Sequence, residues 1–191
     1  MTLSSPPTFR LFVALDLPDA VRGHMLGWAA RTLTDIPGVR LQRPEAMHVT
    51  LCFLGGQPAG EVEAIADAVR AAVGTRSQPR LTPGAPIWLP RRRPRVAAME
   101  LIDDTGELAA LQSSLAGTLE RGGWYEPPHR CFLAHLTVAR TGRNGPRQPS
   151  ELPAPPAGTV VAPSVSLYRS HTGPSRARYE SLATVGLLAG R

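Results

Sequence analysis

The chain has 191 residues, 42% of them hydrophobic, and carries 21 Lys and Arg against 15 Asp and Glu, a formal net charge of +6. That length and apolar content support one folded domain with a core and exclude a disordered tail, while the positive excess favours a polyanionic partner. Cys52 and Cys131 lack metal-ligand or redox spacing, which excludes a disulfide framework and a thiolate zinc site. No stretch approaches the ~20 apolar residues of a membrane span.

Phe9 to Leu15 is apolar and compatible with a strand. Arg10 and Asp16 bracket its apolar part and no cleavage pattern follows, so a cytoplasmic protein is expected. Pro18-Asp19 offers a helix start, and Val21, Met25, Trp28, Ala29 and Leu33 recur at helical spacing until Pro37-Gly38. A strand over Met47 to Leu54 ends at Gly55-Gly56, and a helix over Ala59 to Val73 follows. Strands at Ala85 to Leu89 and Val96 to Ile102 flank the basic turn Arg91 to Arg95. A third helix, Gly106 to Arg121, carries Leu108, Leu111, Leu115 and Leu119. Cys131 to Ala139 reads as a strand, Thr141 to Pro156 as a Gly/Pro-rich loop, and Thr159 to Tyr168 and Arg178 to Val185 as closing strands. The order gives an α+β chain of two similar lobes, each an antiparallel sheet with helices on its outer face.

Two of these strands contain the same polar pair, His48-Val49-Thr50 and His135-Leu136-Thr137. Residues two apart in a strand share a face, so each imidazole lies beside a hydroxyl. Two histidines can supply both proton transfers that opening a phosphodiester needs, and threonine hydroxyls can donate to the non-bridging oxygens. Neither half carries the carboxylate cluster of a two-metal phosphatase, so the expected chemistry uses no metal and no cofactor.

The sequence resembles the two-histidine (2H) phosphoesterase superfamily, and within it the bacterial RNA 2′,3′-cyclic phosphodiesterases, historically called 2′–5′ RNA ligases. The resemblance rests on FRLFVALDLP from Phe9, MHVTLCFLG from Met47, RPRVAAMEL from Arg93, HLTVAR from His135 and LYRS from Leu167. It departs where the family commonly reads Arg-Pro-Phe-His-Pro, since this chain has Arg130-Cys131-Phe132-Leu133-Ala134.

The resemblance implies a single bilobal, pseudo-symmetric domain over residues 1–191, with antiparallel sheets lining a central cleft and helices outside. It implies His48 and His135 as catalytic residues, with Thr50, Thr137 and Arg140 on the phosphate and Phe53 stacking on a nucleobase. Simple alternation puts Arg140 and Phe53 on the faces opposite their histidines, and puts Cys52 on the face of His48. Arg130, Tyr168 and Arg93 are further candidate contacts to RNA. The expected partner is RNA with 2′,3′-cyclic phosphate ends, tRNA fragments among them, acted on by a monomer. An RNA-end binder without turnover and a metal-dependent phosphoesterase are the alternatives.

Overall fold

The computed structural model of the protein describes residues 6–142, 146, 151–171 and 178–190. The first strand, β1 (Thr8–Leu15), is buried on both faces from Leu11 onward, which makes it a central strand rather than an edge. It lies between β3 (Val49–Pro58) and β8 (Ser164–His171), and β9 (Arg178–Gly186) completes a four-stranded antiparallel sheet in the order β3-β1-β8-β9. The second sheet runs β2-β6-β5-β4-β7, built from Val39–Leu41, His135–Thr141, Val96–Asp103, Arg80–Leu89 and Val160–Val161, also antiparallel. Each sheet takes strands from both halves of the chain, so the lobes are not successive segments.

Among the described residues, three α-helices cover the sheets. α1 (Asp19–Leu33) packs on β2 and β6, while α2 (Val62–Val73) and α3 (Glu107–Arg121) pack on each other and on β3, β8 and β9. The leucine stripe of α3, Leu108, Leu111, Leu115 and Leu119, is buried as its spacing predicts. Each such side chain contributes about 1.5–3 kcal/mol relative to exposure. Trp28 of α1 donates its indole N–H to the Ala154 carbonyl at 3.1 Å, which ties down the end of the Gly/Pro-rich loop. The rest of that loop falls partly outside the described residues. No helix among the described residues is long and apolar enough to cross a membrane.

The structure differs from the sequence expectation in several places. Gly55-Gly56 does not end the first motif strand: Gly55 takes φ 70°, open to a residue without a side chain, and β3 runs on to Pro58 through an irregular register. Residues 131–134 form no strand, and β6 begins only at His135. β4 starts at Arg80, earlier than expected, and residues 59–61 form a 3₁₀ turn ahead of α2. Three-residue β2 lies between the Pro37-Gly38 turn and Pro44, too short to leave a periodic signal.

Candidate active site

The motif strands β3 and β6 belong to different sheets and approach each other across the cleft. On either side of His48, Met47 and Val49 are buried, which sends the imidazole the other way; Ala134 and Leu136 flank His135 in the same manner. His48, Thr50, His135 and Thr137 all line one open cavity of about 520 Å³.

Both strands then break their alternation at the same point. Against β1, Ala14 pairs with Thr50 and Val13 with Cys52, so Leu51 is an extra residue. Against β5, Ala98 pairs with Thr137 and Ala97 with Ala139, so Val138 is extra. Each is a β-bulge, which shifts parity by one. Leu51 and Cys52 are therefore both buried, as are Val138 and Ala139, and the next residue returns to the cleft. That residue is Phe53 in β3 and Arg140 in β6, and both line the cavity. Cys52, which simple alternation puts on the face of His48, lies in the core as a small apolar side chain, where burial pushes its thiol up to about 12.

The environments of the two histidines differ. His48 packs against Phe12, Tyr179 and Tyr168, with ring centroids at 4.9, 5.2 and 5.9 Å. Although one edge of the ring meets the cavity, the aromatic enclosure strips water from it, and this desolvation lowers its pKa to about 4. Asp16 works in the opposite direction, and Arg140, Arg22 and His135 add to the lowering. His135 donates its Nδ1–H to the Leu133 carbonyl at 2.8 Å. A carbonyl only accepts, so the neutral ring carries its proton on Nδ1 and keeps a lone pair on Nε2.

Behind His48 lies a polar cluster that the sequence does not reveal. The buried Asp16 carboxylate accepts from Ser164 and Ser166 at 2.7 Å each and from the Tyr168 hydroxyl at 2.6 Å. Tyr168, expected at the rim, thus has its hydroxyl committed to Asp16, and burial and then the carboxylate raise its pKa to about 12. Its ring backs His48 and does not line the cavity.

Arginines dominate the remaining wall. Arg10, Arg40, Arg43 and Arg140 line it, with no Asp or Glu among the described lining residues. Arg140 donates to the Tyr179 hydroxyl at 3.4 Å, and the Arg10 guanidinium lies 4.6 Å from the Phe53 ring centroid. Arg40 pairs directly with Arg140 across β2 and β6. Such like charges on neighbouring strands repel unless an anion lies between them. Arg10, Phe12, Arg40, Arg43 and Tyr179 were not found from the sequence; Arg40 enters through β2, which has no pattern of its own, and Arg43 through the residues between β2 and the Pro44 turn. Arg93 sits at φ 57° in the exposed β4–β5 turn and lines neither this cavity nor the larger one beside it. Arg130 lines only the larger one.

A cleft between two antiparallel sheets, with one His-x-Thr contributed by each and arginines around it, defines a two-histidine phosphoesterase fold. The chain matches the model of the LigT-like phosphoesterases over residues 15–97. It is 31% identical over 148 residues to an RNA 2′,3′-cyclic phosphodiesterase of Archaeoglobus fulgidus, covering 72% of this chain and 75% of that one. It is 28% identical to an Escherichia coli protein of the same name, over 91% of this chain and 93% of that one. The fold superimposes on E. coli LigT complexed with 3′-AMP with a TM-score of 0.78 and 26% identity, covering 95% and 99% of the two chains. The chain belongs to the LigT-like phosphoesterase family.

Proposed function

We propose that the protein hydrolyses the 2′,3′-cyclic phosphate at an RNA 3′ end, leaving a 2′-phosphate. The observation that carries this reading is the convergence of both His-x-Thr pairs on one arginine-lined cavity. The names of the archaeal and E. coli relatives point to the same substrate.

In this reading Nε2 of His135 accepts a proton from water as the water oxygen attacks phosphorus. The bond from phosphorus to O3′ breaks, and His48 delivers a proton to that oxygen, leaving a 3′-hydroxyl. Thr50, Thr137 and Arg140 hold the non-bridging oxygens while negative charge accumulates. Free His48 is neutral above about pH 4. A substrate phosphate against its ring supplies the negative charge that favours protonation, so the acid is charged mainly in the complex. Phe53 offers one ring face to a base, the other being covered by Arg10. The same groups run in reverse join a 5′-hydroxyl to the cyclic phosphate without ATP, and water's concentration makes hydrolysis the net direction.

The test is incubation of the purified protein and a chelator with an oligonucleotide ending in a 2′,3′-cyclic phosphate, followed by assignment of the product isomer. A 2′-phosphate formed at an undiminished rate is the expected result. A 3′-phosphate overturns the leaving-group assignment, loss of activity restored by a divalent metal overturns the metal-free chemistry, and RNA binding without turnover leaves an RNA-end binder.

A further inference from the structure

Beside the arginine-lined cavity lies a second, larger one of about 770 Å³. It is walled by α3 through Gln112 and Ala116, by the end of the β4–β5 turn through Arg95, and by the segment from Tyr125 to Leu133. Thr50, Phe53 and His135 line both cavities, so the two are continuous at the reacting centre. His48, Thr137 and Arg140 line only the first.

The walls differ in charge. Both carry three aromatic rings, but the first sets Phe12, Phe53 and Tyr179 among four arginines, whereas the second sets Phe53, Tyr125 and Phe132 beside only two, Arg95 and Arg130. Five large apolar side chains are exposed among the described residues, and Phe53, Phe132 and Leu133 of this wall are three of them. Exposed apolar surface gathered at one concave place marks a binding site rather than scattered surface residues. Aromatic rings beside isolated cations suit a flat, unsaturated ring joined to a phosphodiester. Within this wall Arg130 and Phe132 keep the common family pattern, whereas Cys131 and Leu133 depart from it.

We infer that the second cavity binds the nucleobase of the nucleotide preceding the cyclic-phosphate end, so that the preferred substrate is an oligonucleotide and not a mononucleotide. This rests on the phosphodiester reading of the first cavity. With phosphorus between the histidines, the phosphates of the strand stay near Arg95 and Arg130 while the penultimate base stacks against Phe132.

Cys131 provides a handle. It is exposed on this wall, while Cys52 is 1% exposed in the core, so N-ethylmaleimide labels Cys131 alone. The experiment compares kcat/KM for a dinucleotide and a mononucleoside, each ending in a 2′,3′-cyclic phosphate, using the unmodified protein, the Cys131 adduct and F132A. The unmodified protein is expected to favour the dinucleotide about tenfold, the scale of one base–aromatic stack. Adduct and variant are expected to lose that preference through KM, with mononucleotide turnover within about twofold of the unmodified protein. Equal kcat/KM for both substrates in the unmodified protein, or an equal fall for both in F132A and the adduct, overturns the subsite. If neither substrate is opened, it is the phosphodiesterase reading that fails. The affinities of 2′-phosphorylated mono- and dinucleotides for the three proteins then decide the subsite by the same ratio.

Discussion

β3 with the residue just ahead of it, and β6, each present a histidine, a threonine, a bulge and one long side chain to the cleft, but they do so from unlike surroundings. His48 is enclosed by three aromatic rings with the Asp16 cluster behind them, whereas His135 is fixed by one carbonyl and borders both cavities. At the position after the bulge, β3 offers the flat ring of Phe53 and β6 the cation of Arg140. A repeated backbone thus carries two different tasks. The side chains at matching points decide which half handles the base and which the phosphate, and the shell around each imidazole decides when it is charged.

The largest expected effect comes from removing either imidazole. H48N and H135N should each lower kcat by about 10³–10⁴ while RNA affinity stays within a few-fold, because each ring acts in proton transfer. The double variant should be little worse than either single one, since the two act as a unit. Single-turnover rates and equilibrium binding measured on the same preparations check this. A histidine whose loss changes affinity and not rate belongs to a binding half, and the symmetry of roles is broken there.

Next comes the unlike pair. R140Q should lower kcat about 100-fold, the scale of one lost donor to a transition-state oxyanion. F53A should act mainly through KM, by about tenfold, as expected for one stacked base. Steady-state kinetics separate them, and a kcat effect at Phe53 equal to that at Arg140 contradicts the division of labour.

How much of this arrangement is legible in the sequence depends on what kind of information it is. The two His-x-Thr pairs and the leucine stripe of α3 are visible because burial on a strand or helix imposes a period. The bulges at Leu51 and Val138 are invisible because a bulge changes how a strand pairs with its neighbour and leaves the composition unaltered. Strict alternation therefore misplaced Phe53, Arg140 and Cys52, although the residues themselves had been singled out. β2 is three residues long and Arg43 lies in the turn after it, so Arg40 and Arg43 carry no sign of the cleft they line. Asp16, Ser164, Ser166 and Tyr168 meet only through the β1–β8 pairing, across about 150 residues of chain.

A smaller effect tests the enclosure of His48. In the free protein its ring should titrate near pH 4, and saturating phosphate or a nucleoside 2′-phosphate should raise that midpoint by at least one unit, because an anion replaces water beside the ring. Histidine-selective NMR titration with and without the ligand reads this directly. An unchanged midpoint means that the anion sits elsewhere, and His48 then cannot be the acid at neutral pH.

The smallest effect is on stability, and its sign follows from the same burial. The folded pKa of about 4 lies below the unfolded value of about 6.5, so between these limits the unfolded chain binds more protons than the folded one. Stability from this group is therefore intact above pH 6.5, declines as the pH falls, and is fully lost below about pH 4. After discounting for water in the open cavity, the loss is on the order of 2 kcal/mol. Urea midpoints taken from pH 7.5 to pH 4 on the wild type and on H48Q isolate this contribution from the carboxylates, which titrate in both proteins. The wild-type curve should fall more steeply, whereas parallel curves would show that the aromatic shell leaves His48 hydrated, removing the reason for its difference from His135.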